Sequence, residues 1–321
     1  MKNPLGKILL FVLILVLLAG SLVFVFSVAV PDQFSQTYQR VLSTQYDYYQ
    51  SLEGEKLVFI GGSDLAFGLD LNLMESLSGK QCALLGNYNA FGPLFPLELS
   101  KENLQRGDIV IIERGGLSVD YVDGEVLLTA IGKNFDMYKH LNGNQLAHMA
   151  IAYPSVVKKE IIYLFRGGYS PTDIYGAPSF DARGNMIAER GIVFSPDVSS
   201  EAVRAHTGTA DYSNPEDRIP PDYIQMMNDY IAYCSSIGVS VFITVPTMIA
   251  DSVIQSDELI DSYDDYLGSK LHAPLISRSK DYILPRELCY DGSHANTEGA
   301  RYRTEHLYQD LRPYLKETNP S

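Results

Sequence analysis

The chain has 321 residues, of which 46% are hydrophobic and 20% charged, with 25 Lys and Arg against 39 Asp and Glu. This ordinary globular composition excludes a wholly disordered chain, and the net charge of −14 argues against nucleic acid as a partner, because like charges repel. Cys82, Cys234 and Cys289 lie far apart, and neither they nor the histidines have the spacing of a metal site. We therefore expect one or two globular domains without a metal or another cofactor.

An uncharged apolar run from Ile8 to Val30 follows Lys2 and Lys7 at the N-terminus. The run exceeds the roughly 20 residues that a helix needs to cross a bilayer. A cleavable signal peptide is the alternative, because Ser27-Val28-Ala29 resembles a cleavage site, but the run is longer than the usual core of a signal peptide. We expect an uncleaved signal-anchor in the plasma membrane. The lysines before it predict a single-pass protein with a cytoplasmic N-terminus and everything from Pro31 onward outside the membrane.

Three parts are expected along the chain: residues 1–31 as a cytoplasmic stub and transmembrane signal-anchor, residues 32–54 as a stalk helix, and residues 55–321 as the main domain. The stalk helix is predicted to pack onto that domain, because large side chains recur at steps of three and four residues. These side chains are Phe34, Tyr38, Leu42, Tyr46 and Tyr49.

Buried strands alternate with amphipathic helices in the main domain. Apolar runs next to glycine predict strands at 56–60, 81–86, 107–113 and 239–246. Helical spacing predicts helices at 69–79, 222–238 and from about 297 to 315. This alternation is typical of an α/β fold, a three-layer sandwich with a mostly parallel sheet.

The pattern loosens between residues 115 and 217, where a helical stretch at about 141–165 precedes a segment rich in Gly, Pro, Ser and Asp. We interpret this region as an insertion of irregular surface elements over one end of the sheet. Both a lid that binds substrate and a structural elaboration without a ligand fit the pattern.

Candidate catalytic side chains occur at two distant places in the sequence. Ser63 follows the first strand, at the edge of a parallel sheet where ligands bind. A serine hydroxyl needs a base to take its proton, and Asp291 stands three residues before His294, a spacing that lets the carboxylate orient the imidazole. Each residue taken alone also fits a turn, a helix cap or the core. Because one motif follows the first strand and the other precedes the last helix, the pattern favours a Ser-Asp-His triad.

The two motifs resemble blocks of the SGNH (GDSL-like) hydrolase superfamily. "VFIGGSDLAFG" resembles the first block, with Ser63 in the nucleophile position and Gly62 in place of the usual Asp. "YDGSHANTEGA" resembles the last block, D-x-x-H-x-N-x-x-G, in Asp291, His294, Asn296 and Gly299. The resemblance covers about residues 56–311 apart from the insertion, and it implies a flavodoxin-like parallel sheet.

Members of the SGNH superfamily are esterases, lipases and carbohydrate O-acyl hydrolases or transferases. The membrane-anchored layout resembles extracytoplasmic proteins of cell-envelope acylation, such as those of teichoic-acid D-alanylation and alginate O-acetylation.

The resemblance also implies an oxyanion hole made by a glycine and an asparagine from the middle blocks. After the second strand, "GNYNAFGP" contains Asn89 and Gly92. After the third strand the family has G-x-N-D, whereas this chain has Glu113-Arg114-Gly115-Gly116, without the asparagine. We expect the backbone N–H groups of Ser63 and Gly92 to hold the oxyanion. Either Asn89 or Arg114 replaces that asparagine, or the activity is reduced. The alternative is that Asn87 and Asn89 are simple turn residues.

The expected function is an extracytoplasmic serine esterase or O-acyltransferase that acts on a cell-envelope glycan or polymer. Ser63 would attack the ester, His294 would serve as base and then acid, and Asp291 would orient it. The resemblance implies a bacterial-type membrane and a membrane acyl-donor protein as partners, and the acidic charge favours a neutral or amino-bearing glycan. The alternative is a non-catalytic, membrane-tethered scaffold that binds a glycan or a partner protein. A nucleotide-binding protein is disfavoured, because the chain lacks a P-loop and a G-x-G-x-x-G motif.

Overall fold

The computed structural model describes residues 4–115, 117–119 and 122–315, so Lys2 and Gly116 lie outside the described residues. The strands are β1 (Lys56–Ile60), β2 (Gln81–Leu85), β3 (Ile109–Glu113), β4 (Ser240–Thr244), β5 (Met248–Ile249) and β6 (Ile283–Leu284). The helices up to the insertion are α1 (Pro4–Phe24), α2 (Val41–Ser51), α3 (Ser63–Gly68), α4 (Leu71–Ser78) and α5 (Leu94–Ser100). Those that follow are α6 (Gly124–Ile131), α7 (Gly143–Arg166), α8 (Ser200–Thr207), α9 (Pro215–Arg218), α10 (Pro221–Ser236), α11 (Asp257–Lys270) and α12 (Thr297–Leu311).

Four parallel strands form the central sheet in the order β2-β1-β3-β4. The prediction of an α/β fold with a parallel sheet is confirmed, and β1 has the predicted bounds. Beyond β4, Leu275 forms a parallel bridge with Ile243 and extends that edge. The strand order reverses between β1 and β3, and in open α/β sheets the crevice at such a point receives the ligand. The segment that begins at Gly61 leaves β1 at this crevice, which places Ser63 there.

The core lies on both faces of the sheet, because successive side chains of a strand point to opposite sides. On one face, Val58 and Ile60 belong to a buried cluster with residues of α2, α5 and α10. On the other face, Leu57 and Phe59 belong to a cluster with residues of α3, α4 and α12. A strand buried on both faces must be apolar throughout, which is why the continuous apolar runs predicted the strands correctly.

Helix α1 is the part of the described chain that is long and apolar enough to cross a membrane. Residues Pro4–Ser21 have a mean hydropathy of 2.3, and none of this stretch is buried against the rest of the protein. The helix continues over Val25–Ala29 as a π-helical turn. By length and composition, both a membrane span and a signal sequence fit this helix.

The predicted stalk helix over 32–54 is shorter in the structure and is packed into the domain. Asp32 accepts a hydrogen bond from the backbone N–H of Phe34 at 2.9 Å, a local turn that competes with a helix, and α2 begins only at Val41. All of the large side chains predicted to pack are buried, and the hydroxyl of Tyr49 donates to the carbonyl of Ser100. The segment therefore forms part of the core.

Within the predicted insertion, the helix expected at 141–165 is α7. Asn142 and Gln145 form a reciprocal capping box at its start, and Gly167 ends it with a left-handed φ of 83°. Helix α7 packs against α6, and irregular segments carry the chain from there back to the sheet. One of these segments brings Tyr175 to the carboxyl end of the strands.

Candidate active site

Asp291 and His294 form a hydrogen-bonded pair in the loop before α12. The carboxylate Oδ2 lies 2.8 Å from Nδ1 of the imidazole, and Oδ1 accepts from the backbone N–H groups of Ser293 and His294 at 3.1 and 2.9 Å. Burial by itself raises the pKa of Asp291, but the hydrogen bond to His294 and its charge, together with the backbone donors, outweigh burial and lower that pKa. The carboxylate therefore stays ionised and fixes the orientation of the imidazole.

The imidazole of His294 lies against α3. It stacks on the ring of Phe67 with the centroids 4.4 Å apart, and its side chain is only 13% exposed. Burial lowers the pKa of His294, but the hydrogen bond and charge of Asp291, with the charges of Asp64 and Glu113, more than compensate and raise it. The raised pKa is favourable for a group that has to accept a proton.

Ser63 is the first residue of α3 and lies on the same side of this helix as Phe67, four residues later. Since His294 stacks on Phe67, the imidazole lies along the face of the helix on which Ser63 begins. Its Nε2 is buried and has no hydrogen-bond partner among the described residues. Within the same ranges the Ser63 hydroxyl makes no hydrogen bond either, so the structure shows no hydrogen bond between Ser63 and His294.

A buried ion pair supports the loop that carries Ser63. Arg303 of α12 donates to the carboxylate of Glu113, to the carbonyl of Asp64 at 2.7 Å and to that of Val245 at 3.2 Å. The side chains of Arg303 and Glu113 have no exposed surface. One guanidinium thus links the carboxyl ends of β3 and β4 to the residue next to Ser63. The resemblance led us to look for an asparagine in the segment that begins at Glu113, where Gly115 takes its position, and the carboxylate of Glu113 pairs with Arg303.

Besides Ser63, the residues expected at the oxyanion hole are Gly92, Asn89 and Arg114. Asn89 and Gly92 lie beside the loop that carries Ser63. Asn89 packs so closely on Gly62 that a Cβ at Gly62 would be 1.9 Å from its Oδ1. Gly92, with a positive φ of 73°, lines the same cleft as Gly62 and Asn89. Arg114 instead donates to the Tyr263 hydroxyl at 2.9 Å, with its guanidinium 4.8 Å from the centre of that ring. Asn89 and Gly92 therefore lie next to the loop that carries Ser63, whereas the side chain of Arg114 contacts α11.

The alternative reading of the asparagines as turn residues fits Asn87. Its Nδ2 donates to the carbonyl of Tyr38 at 2.7 Å, and the Tyr38 hydroxyl donates back to the carbonyl of Asn87. Asn87 is fully buried, whereas Asn89 is exposed at the cleft. Asn87 thus holds the segment after β2 in place, and Asn89 is the one that a ligand can reach.

Tyr175 is a site residue that the sequence analysis missed. Its hydroxyl donates to Oδ2 of Asp291 at 3.1 Å and lies 3.3 Å from Nδ1 of His294, so the insertion contacts the pair directly. No local pattern singles out this tyrosine. Arg303 was also missed, although an arginine among the inward positions of α12, between Ala300 and Leu307, is a sequence signal of a buried charge.

Within the described ranges, no group of three or more His, Cys, Asp or Glu side chains is arranged to hold a metal ion. All three cysteines are free and buried. Burial raises the pKa of the Cys82 thiol and that of the Cys289 thiol, to about 12 in Cys289, so neither is a reactive thiolate at neutral pH.

No protein-family model matches the chain, and no curated protein matches it. Among solved structures, it is similar to the crystal structure of protein YxiM from Bacillus subtilis, with 10% sequence identity and a TM-score of 0.35. The similarity covers 81% of this chain and 57% of that one, so the chain spans little more than half the length of that protein. A TM-score of this size supports no conclusion about function.

Proposed function

We propose that this chain is a membrane-tethered serine esterase or O-acyltransferase of the SGNH (GDSL-like) type that acts on a glycan or polymer of the cell envelope. One observation carries the proposal: the Asp291–His294 pair presents an unpartnered, buried Nε2 along the face of α3 that begins with Ser63. The strand order adds support, because it reverses between β1 and β3, open α/β sheets bind ligands at such a reversal, and Ser63 follows β1 in the chain.

The proposed reaction proceeds in two steps. The Ser63 hydroxyl attacks the ester carbonyl while Nε2 of His294 takes the hydroxyl proton, and Asp291 holds the opposite N–H and stabilises the imidazolium. When the tetrahedral intermediate collapses, His294 returns the proton to the leaving oxygen and an acyl-Ser63 ester remains. Water or a glycan hydroxyl then attacks this ester with the same proton movements, which yields hydrolysis or acyl transfer.

The negative charge of the intermediate needs donors at the same cleft. The backbone N–H groups of Ser63 and Gly92 and the side-chain amide of Asn89 are the candidates. Their support is that Asn89 lies against Gly62 and that Gly92 lines the same cleft. Donors fixed in place before the reaction stabilise an oxyanion more than water does, because no reorganisation is needed when the charge develops.

The proposed location rests on α1 and on the charges around it. The helix is long and apolar enough to span a bilayer, and Lys2 and Lys7 precede its apolar core without a matching cation directly after it. With the N-terminus in the cytoplasm, the domain lies outside. Acidic residues outnumber basic ones in the chain, and this negative charge favours a neutral or amino-bearing glycan over a polyanionic polymer as acceptor. A membrane protein that supplies the acyl group belongs to the transferase version of the proposal.

The test is covalent labelling of the full chain in detergent with a fluorophosphonate, followed by intact mass and peptide mapping. We expect one adduct, at Ser63, that is lost in Ser63→Ala and in His294→Ala. Ser76→Ala is the matched control, since this exposed serine lies on the neighbouring α4 and must leave labelling unchanged. A folded chain that hydrolyses no ester and takes up no label would contradict the enzymatic proposal.

The second candidate is a non-catalytic tethered scaffold that binds a glycan or a partner protein in the same cleft. Its support is that the segment after β3 lacks the donor asparagine that the family resemblance requires, with Gly115 in its position. The two proposals differ for Ser63→Ala in cells. The scaffold keeps its function in this variant, because binding does not use the hydroxyl, whereas the enzyme loses it.

A further inference from the structure

Helix α7 presents an apolar face to the outside of the protein. Its opposite side, with Met149, Val156 and Val157, is buried against the domain. The large apolar side chains that are exposed on the side away from these residues are Ile151, Ile161, Ile162 and Phe165, and Leu146 and Leu164 are exposed at the edge next to the buried side. Ile151 is 80% and Phe165 is 86% exposed. A surface helix of a soluble domain normally turns polar residues outward, so this face is suited to an apolar surrounding.

The apolar face lies next to the end of α1. The hydroxyl of Tyr153 on α7 donates to the carbonyl of Val23 on α1 at 3.1 Å. Nearby, Lys133 donates to the carbonyls of Val28, at 2.9 Å, and of Val30. At about 100° per residue, Tyr153 falls within roughly 20° of Leu146 on a helical projection, so α1 meets α7 at one edge of its apolar face. If α1 crosses a bilayer, α7 is at the level where the chain leaves it.

The charges of α7 differ from those of the whole chain. The exposed charged side chains of α7 are Lys158, Lys159 and Arg166, and its acidic residue, Glu160, is buried. Lys159 pairs with Glu125, whereas Lys158 and Arg166 have no ion-pair partner among the described residues. In a chain of net charge −14, a helix with only cations at its surface matches the phosphates of lipid headgroups. Long basic side chains reach such phosphates from within an apolar face.

We propose that the exposed face of α7 lies in the headgroup and outer acyl region of the same bilayer that α1 crosses. The proposal rests on the membrane tether of the proposed function but not on its chemistry. An amphipathic helix of this kind buries its apolar face about 5–10 Å into the boundary between headgroups and acyl chains. Together, α1 and α7 form two attachments, which prevent the domain from turning freely about the axis of α1.

The absence of tryptophan from the chain allows a direct test. Phe165→Trp and Ile151→Trp each introduce a single tryptophan at an exposed position of the face, where no packing is disturbed. Leu259→Trp, on α11 and 46% exposed, is the matched control. Each full-length variant is reconstituted into vesicles that contain lipids brominated at known acyl depths, and tryptophan emission is measured after vesicle flotation.

We expect all three variants to float with the vesicles. Tryptophan emission at positions 165 and 151 should be blue-shifted relative to position 259 and quenched several-fold more. The strongest quenching should come from lipids brominated near the headgroup. Floating chains with red, unquenched emission at 165 and 151 overturn the α7 proposal and leave the tether intact. Blue-shifted emission without quenching also overturns it, because protein, such as a second copy of the chain, then covers the face. Chains that do not float overturn the tether and, with it, this inference.

Discussion

Arg303 and Glu113 form an ion pair in which neither side chain has exposed surface, directly beside the backbone of Asp64. Burial raises the pKa of Glu113, because an ionised carboxylate is less stable in the interior, and the charge of Arg303 opposes this shift. A buried pair costs much of its attraction in desolvation, so its presence here points to a structural role for the guanidinium. That role is to hold the first turn of α3 against the ends of β3 and β4.

Arg303→Met should lower the free energy of unfolding by about 3–5 kcal/mol, because it leaves Glu113 buried and unpaired. The measurement is urea unfolding in detergent, followed by circular dichroism. Arg303→Met combined with Glu113→Leu should recover most of the loss, since no buried charge then remains. Arg278→Met, which removes an exposed pair with Asp265, should cost at most about 1 kcal/mol. Equal losses in the buried and the exposed variants would contradict this role.

The rate of fluorophosphonate labelling should rise with pH, with a midpoint above the ordinary histidine pKa of 6.5. Only neutral imidazole can take the Ser63 proton, and Asp291 keeps His294 protonated to a higher pH, with support from Asp64 and Glu113. In Asp291→Asn we expect the midpoint to fall and the plateau rate to drop by several orders of magnitude, because the imidazole is no longer held in the correct tautomer. A midpoint that does not move in this variant would argue against the pair.

Stability should change with pH in the opposite sense to labelling. Because the folded pKa of His294 is raised, its contribution to stability is complete below the unfolded value of 6.5 and is lost as pH rises through the folded value. The lowered pKa of Asp291 contributes stability above its unfolded value of 3.8, and this is lost as pH falls through the folded value. The urea concentration at the midpoint of unfolding should therefore decrease over the pH range in which the labelling rate increases. This decrease should be smaller in His294→Ala.

The sequence predicted the parts of this site that depend on local pattern. Parallel strands are continuous apolar runs, so β1 could be placed, and with it Ser63 at the edge of the sheet. Asp291 and His294 lie three residues apart, so their contact is local as well. Tyr175 reaches Asp291 over 116 positions of the chain, and Arg303 reaches Asp64 over 239. Such contacts depend on how the layers dock, which no short spacing encodes.

Tyr175→Phe should reduce the labelling rate by up to about tenfold. This is less than the full contribution of one hydrogen bond to an ionised group, about 1.5–3 kcal/mol or roughly 10–100-fold, because Asp291 keeps three other donors. The pH midpoint should shift in the same experiment, because the hydroxyl contacts both Asp291 and His294. Tyr169→Phe, in the same segment, is the control. An unchanged rate and midpoint in Tyr175→Phe would show that the insertion only covers the site.

Gly62→Ala should reduce ester turnover by about 10²–10³, the cost of losing one oxyanion donor, with little effect on folding. The added Cβ would overlap Oδ1 of Asn89, which is exposed and can turn away. Asn89→Ala should give a similar loss, and the double variant should lose little more than either single one, because both changes remove the same donor. Steady-state kinetics with a p-nitrophenyl ester measure this, and additive losses would mean that Asn89 is not the donor.

Acyl chain length should be limited by the cleft beside Ser63. The cleft is lined by Gly62, Asn89 and Gly92 and by apolar side chains that include Met227 of α10, which is almost fully buried. We expect acetyl esters to be turned over faster than octanoyl esters. Met227→Ala should raise the octanoyl-to-acetyl ratio of kcat/KM by about 10–100-fold, since each methylene that a pocket accepts contributes about 1–3 kcal/mol. Met226→Ala, a neighbour that does not line the cleft, should leave the ratio unchanged. An unaltered ratio in Met227→Ala would place the acyl group outside this cleft.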